Sequence, residues 1–303
     1  MAQRTLFIVN PAAGAGQARE RWARFGREMW RAESSPETRI TSRAGEAAAI
    51  AREAAIKYER VIAVGGDGTV SEVANGLLSV AGNQCALGII PLGTGNDIAQ
   101  TLGIRGLEDA RRVLAADRRR IIDVIEVHSA TDGQSVMGYA LLFAGVGIVS
   151  AVLRKTTPLA KRLLGQSGAY RAGLLLALWC FHPLRMRIVC DGEVSEGHHL
   201  FLGASNGEKA GGGMRIAPGA RIDDGLLNVN LVGAASRWEA LKQLRRLSRG
   251  QHTSHAMVQY RTARSISIES DPPGEVAADG ELIGLTPAMF VVKPKALAVL
   301  VAG

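Results

Sequence analysis

The apolar run Val61-Ile62-Ala63-Val64 leads directly into Gly65-Gly66-Asp67-Gly68-Thr69, and few folds can host that junction. A short, mostly β-branched run reads as a strand covered on both faces, the kind found in parallel sheets. Three glycines in four positions leave backbone N–H groups bare, and a helix from about Val70, capped by Asp67 or Thr69, adds its positive end. Together these make a cradle for an anion. An aspartate inside such a cradle repels phosphate unless a cation or a hydroxyl proton lies between them. That combination points to phosphoryl transfer rather than phosphate storage. An ordinary tight turn with Asp67 as a helix cap is the simpler reading of the motif taken alone.

A second junction follows. Gly88-Ile89-Ile90 ends in Pro91-Leu92-Gly93-Thr94-Gly95-Asn96-Asp97, with a helix expected from Ile98. Two glycine loops side by side at the carboxyl edge of an open sheet occupy the place where α/β folds bind ligands. Neither is followed by Gly-Lys-Ser/Thr, so neither is a Walker A loop. Up to about residue 123 the chain alternates strand and helix: strands at 5–9, 39–41, 61–64 and up to Ile90, helices over 19–31, 45–57 and after Val70, Asp97 and Leu107. This order predicts a doubly wound parallel sheet. Beyond Ile121 the predicted strands, 136–143, 185–189, 199–204, 226–231, 258–260 and 265–269, are closely spaced, as in an antiparallel β-sandwich. Helices are predicted over 148–179, interrupted at Pro158 and Gly165, and over 237–247.

With both loops intact, the chain resembles the diacylglycerol kinase catalytic family, which includes bacterial lipid kinases, sphingosine kinases and ceramide kinases. Asn10-Pro11, Ser205-Asn206-Gly207, Gly211-Gly212-Gly213, Ala217-Pro218-Gly219-Ala220, Asp223-Asp224-Gly225 and Asp279-Gly280-Glu281 extend the likeness along almost the whole chain. The resemblance implies a nucleotide-binding α/β domain over 1–123, similar to NAD kinase, with the tail 286–303 returning to it. It also implies a β-sandwich lipid-substrate domain over 124–285. The implied activity is ATP- and Mg2+-dependent transfer of a phosphate to the hydroxyl of a lipid alcohol, diacylglycerol before a sphingosine- or ceramide-type acceptor. Catalytic roles carry over to Glu281, Asp67, Asp97 and Asp123. Nucleotide contacts carry over to Asn10, Thr41, Gly65, Gly66, Gly68, Thr69, Glu72, Asn75, Gly93, Thr94 and Asn96. Asp224, with the carbonyls of Arg221 and Leu226, is the implied site of a structural magnesium.

Alternatives stay open at several of these positions. Bacterial members imply Glu281 as the general base, whereas sphingosine kinases imply Asp67. Asp224-Gly225 taken alone is a hairpin turn, and Asp191-Gly192-Glu193 repeats the catalytic triplet at what reads as another. NAD kinase shares the two-domain plan and the first loop but not the second. A catalytically silent nucleotide- or lipid-binding regulator is the reading from outside enzymology.

A chain of 303 residues, 47% hydrophobic, suits two folded domains. Its net charge of +8 comes largely from arginine clusters, while aromatics make up only 5% and no nucleic-acid-binding motif is present. An anionic membrane surface is therefore the expected partner, and nucleic acid is not. Cys85, Cys180 and Cys190 lack metal-type spacing, which fits a reducing cytoplasmic location. The most apolar run, 172–181, is half the length a spanning helix needs, so peripheral attachment is expected. Its candidate docking features are 174–181, Arg154, Lys155, Lys161 and Arg162, and a helix carrying Lys242, Arg245, Arg246 and Arg249. The other reading of 174–181 is plain core. Oligomeric state is not legible.

Overall fold

Buried β-branched strands fix the first of two units. The computed structural model describes residues 4–29, 36–131, 133–234 and 236–302. It divides into Met1–Ile122 with Lys295–Gly303, and Asp123–Pro294. The first unit contains β1 (Thr5–Val9), α1 (Ala18–Met29), β2 (Glu37–Ile40), α2 (Glu46–Ala54), β3 (Arg60–Gly65), α3 (Asp67–Leu78), β4 (Ala86–Pro91), α4 (Asp97–Thr101) and α5 (Leu107–Ala116). The end of the helix expected over 19–31 lies outside the described residues. The four strands are parallel in the order β2-β1-β3-β4, and the returning tail adds a fifth beside β4, with Val299 opposite Leu87. Ile8, Val61 to Val64, Leu87 and Ile90 are essentially inaccessible to solvent, as strands covered on both faces require. The order reverses between β1 and β3, so the carboxyl ends of those strands flank the sheet's switch point. Val9 stands level with Val64, and Gly65 with Pro91, which brings three strand ends to one edge.

The second unit is mainly antiparallel. It contains most of β5 (Arg119–Thr131), then β6 (Gln134–Ala140), β7 (Phe143–Gly147), α6 (Ile148–Lys155), α7 (Pro158–Cys180), β8 (Leu184–Cys190), β9 (Glu193–Ser205), β10 (Leu227–Gly233), α8 (Arg237–Arg249), β11 (Val258–Ala263), β12 (Ser265–Asp271), β13 (Glu275–Ala278) and the first part of β14 (Glu281–Leu300). Two long strands serve both layers of a sandwich. The start of β9 pairs with β8 and its end with β7. Leu285 and its predecessors in β14 pair with β13, whereas Ala288 to Val291 pair with β12. Ile125, Val146, Met186, Ile188, Leu202 and Phe290 fill the space between.

Two sequence expectations need correction here. The single strand expected over 136–143 is the end of β6 and the start of β7, because the run stays apolar through the corner at Leu141-Leu142, where both residues are buried. The sequence pattern puts a basic break, Lys293-Pro294-Lys295, between the apolar segments 289–292 and 296–301, but the tail does not break there. β14 runs through that stretch, and Lys295 takes the left-handed conformation with φ +51°. Both interruptions expected in 148–179 are present: α6 ends at Lys155 and Pro158 starts α7, which Thr157 caps by accepting the Ala160 N–H at 3.2 Å, while Gly165, at φ +69°, makes a kink. Among the described residues no helix is long and apolar enough to cross a membrane.

Candidate active site

Three loops leave the carboxyl ends of β1, β3 and β4, and their backbones touch. Leu92 and Gly93 both donate their N–H to the Gly65 carbonyl, at 2.8 and 3.1 Å. A Cβ on Gly93 would sit 2.4 Å from the Gly66 Cα, and one on Gly14, at φ +60°, would sit 2.3 Å from the Leu92 carbonyl oxygen. The glycines are thus required by backbone-on-backbone packing as well as by any ligand. Asn10 joins the first two loops: its Nδ2 donates to the Thr69 hydroxyl at 3.0 Å, while its Oδ1 accepts the Ala12 N–H. Asn96 holds the third loop from inside. In the left-handed region at φ +57°, it accepts the Gly93 N–H at 3.1 Å and donates to the Gly93 carbonyl at 3.0 Å. Thr94 stands exposed at the tip of this loop.

Asp67 opens α3, with Gly68 beside it in the first turn, and its Oδ1 accepts the Ile98 N–H at 3.0 Å. The carboxylate therefore clasps the start of α4 to the first glycine loop. Its other oxygen makes no hydrogen bond among the described residues. Neither Asp67 nor Thr69 caps α3, contrary to the sequence reading: the cap is Gly66, because Asp67 reaches across to α4 and Thr69 is engaged by Asn10. Asp97 is buried at the start of α4. The other candidate nucleotide contacts have neighbours of their own. Thr41 binds the Val9 carbonyl through N–H and hydroxyl, Glu72 accepts the Ala47 N–H at 3.2 Å in the first turn of α2, and Asn75 donates to the Ser71 carbonyl.

In the second unit Asp123, 1% exposed, is tied to the turn at 221–226. Its N–H donates to the Ile222 carbonyl and its Oδ2 accepts the Gly225 N–H, both at 2.7 Å. Asp224 folds over the same turn, accepting the Leu226 N–H at 3.1 Å, and the Arg221 guanidinium lies 3.7 Å from Asp223. Asn206, fully buried, donates to the carbonyls of Asp123 and Leu141, at 2.7 and 3.0 Å. Asp279 accepts the N–H groups of Leu141, Leu142 and Phe143. These two residues clamp the 141–143 corner from both sides. In the sequence they stand out only as parts of motifs; the signal for this role is that each precedes a glycine, where a short polar side chain folds onto nearby backbone.

The two Asp-Gly-Glu triplets have the same turn. Asp191 and Gly192 stand at φ +48° and +93°, Asp279 and Gly280 at +44° and +92°, with Cys190 opposite Glu193 and Ala278 opposite Glu281. In both hairpins the aspartate clasps backbone N–H groups of a neighbouring segment, for Asp191 those of Arg264 and Ser265. Glu193 pairs with Arg261 at 2.7 Å on the surface, with 80% of its side chain exposed.

Among the described residues no group of three or more His, Cys, Asp or Glu side chains is disposed around a metal. The magnesium site expected at 221–226 would be of another kind, with one carboxylate and main-chain oxygens. Its donors are all hard oxygens, as magnesium requires.

Residues 4–127 match the family model described as the diacylglycerol kinase catalytic domain, and 144–301 match the YegS C-terminal NAD kinase beta sandwich-like domain. The chain belongs to the diacylglycerol kinase family of lipid kinases. This lipid kinase is 29% identical over 292 residues to the diacylglycerol kinase of Bacillus subtilis strain 168, covering 95% of this chain and 93% of that one. It is 36% identical over 247 residues to a YegS-like lipid kinase of Chromohalobacter salexigens, covering 80% and 76%. A Bacillus anthracis crystal structure, titled as a candidate diacylglycerol kinase, superposes with a TM-score of 0.80 at 26% identity, covering 99% and 95%. Yeast NADH kinase, in complex with NADH, shares the fold alone: TM-score 0.54 and 11% identity over 98% and 82%. As a kinase, the enzyme uses ATP.

Proposed function

We propose that this lipid kinase transfers the γ-phosphoryl group of ATP to the hydroxyl of a membrane lipid alcohol, with diacylglycerol the first candidate. The observation that carries the reading is the backbone-to-backbone packing of the glycine loops after β3 and β4, in a chain of this family. Phosphoryl transfer asks the protein mainly for positioning and charge stabilisation. The N–H groups of the first turn of α3 receive the phosphates, with the Gly93–Asn96 loop packed beside them. Asn10 and Thr69 keep those loops in register. The acceptor oxygen bonds to the γ-phosphorus as the bond to the β-phosphate oxygen breaks, and ADP leaves. Glu281 takes the hydroxyl proton, consistent with an exposed carboxylate beyond a rigid type I′ turn. Asp67, Asp97 and Asp123 would hold magnesium or its water shell, and Asp224 with the Arg221 and Leu226 carbonyls a structural ion. Magnesium, when bound, neutralises charge on the phosphate oxygens.

The test is incubation of the purified protein with γ-labelled ATP, magnesium and a panel of diacylglycerol, sphingosine and ceramide in detergent micelles, with NAD as a further acceptor. Label is expected in phosphatidic acid. Label in NAD alone, or nucleotide binding with no labelled lipid, overturns the proposal.

A further inference from the structure

Helices α7 and α8 pack on each other through Leu178, Ala177 and Ala240, which join Leu200 in a buried cluster. That packing settles how the apolar run 172–181 is divided. Ala177 and Leu178 are core, whereas Leu175, Leu176 and Trp179 stand in solvent, Trp179 at 56% exposure. Arg171, Leu175 and Trp179 are four residues apart and so form one row along α7. On α8, Trp238, Lys242, Arg246 and Arg249 form a second exposed row, with Trp238 at 69%. The rows meet at the indoles: the ring centroids of Trp179 and Trp238 lie 6.4 Å apart at 81°, and the Arg237 guanidinium lies 5.6 Å over the Trp179 ring. Single exposed apolar side chains are ordinary, but a contiguous set marks a contact surface.

Charge says what it contacts. The sequence of α7 holds no acidic residue, and that of α8 holds only Glu239, which faces His255 at 3.6 Å. A symmetric dimer through this face would set a cationic patch against itself, which is repulsive. Indoles have an apolar body and a polar N–H and settle at the headgroup boundary of bilayers, while Lys and Arg are drawn to anionic headgroups. The other expected docking residues are not part of it. Arg154 is paired with Glu275, and the side chains of Lys161, Arg162 and Arg245 lie outside the described residues.

We propose that the surface centred on Trp179 and Trp238 docks the enzyme on an anionic lipid bilayer, indoles at the headgroup boundary and the cations of α8 against lipid phosphates. The inference rests on a membrane lipid being the substrate, and its test separates the two. Vesicles of phosphatidylcholine, with and without phosphatidylglycerol, are sedimented with the wild type and with the double variant Trp179→Ser/Trp238→Ser. The wild type is expected to bind only the mixed vesicles, more weakly as salt rises, with its tryptophan emission quenched by brominated acyl chains. The double variant should bind on the order of tenfold more weakly or worse, equivalent to about 1.4 kcal/mol, while keeping its melting temperature and its turnover of short-chain diacylglycerol in micelles. Should it fail to fold, Lys242→Gln/Arg246→Gln/Arg249→Gln should show the same loss. Equal vesicle affinity in the variants overturns the proposal, as does a wild-type dimer that the tryptophan substitutions dissociate. Tryptophan-dependent vesicle binding without phosphorylation of any lipid alcohol supports the docking surface and removes the substrate reading instead.

Discussion

At the scale of single residues, Asp67 has one role in the fold and a second in the proposed function. Its Oδ1 accepts the Ile98 N–H, so the carboxylate holds two loops together; the proposed function adds a charge that would meet a cation and phosphate. Asn keeps an oxygen able to accept that N–H but not the charge. Asp67→Asn is therefore expected to lower turnover by at least about a hundredfold with little change in melting temperature. Asp67→Ala should in addition cost about 1–3 kcal/mol of stability by leaving the Ile98 N–H unpaired. Steady-state kinetics beside thermal unfolding of both variants separates the roles; near-normal turnover in the Asn variant rejects the charge assignment. The paired hairpins give a second contrast. Glu281→Gln should reduce turnover by roughly 10²–10⁴-fold, the usual worth of a general base. Glu193→Gln removes only an exposed pairing with Arg261, and activity should stay near wild type. Equal losses would take the base assignment away from Glu281.

At the scale of elements, the glycine loops were the most legible part of the chain, because strand, turn and helix follow one another within a few residues. The packing of one loop on another was not, since Gly66 and Gly93 are neighbours only once β3 and β4 pair. For the same reason the family resemblance implies a ligand role for Glu72 with no sign of its bond to α2. The corner at 141–143 was hidden because burial on both sides of it removes the polar punctuation that marks turns. Nor does the chain around the two Asp-Gly-Glu triplets tell them apart, since both fold into the same turn. Loop-on-loop packing has its own consequence. Gly93→Ala drives a Cβ to 2.4 Å from backbone, whereas Gly66→Ala meets its nearest atom at 3.1 Å. Gly93→Ala should therefore be the worse, destabilising by about 1–3 kcal/mol and raising the KM for ATP more than Gly66→Ala does. Denaturant titration and nucleotide kinetics of the two variants provide the comparison, and an equal response would mean the loops yield freely.

At the scale of the whole molecule, the three cysteines report on burial in each unit. Burial pushes the Cys85 thiol up to about 12 and raises Cys190 above its ordinary value, whereas Cys180 is exposed at the end of α7. Thiolate is the reactive form, so at pH 8 a thiol reagent should modify Cys180 quickly and the other two only after unfolding. Rapid modification of Cys85 in the native protein would contradict the burial of β4.

The first unit is assembled from both ends of the described chain. Leu297, Val299 and Leu300 are buried against it, Leu300 lying close to Gly88, and the Val301 N–H reaches the Arg118 carbonyl. Synthesis is vectorial, and domains generally fold in the order in which they emerge. Here that order is inverted. The β-sandwich can close while the nucleotide-side sheet still lacks its last strand, and the newborn chain carries an open, apolar sheet edge beside β4 until translation passes residue 301. A purified chain truncated after Pro294 should accordingly expose this unit to protease while the sandwich resists digestion.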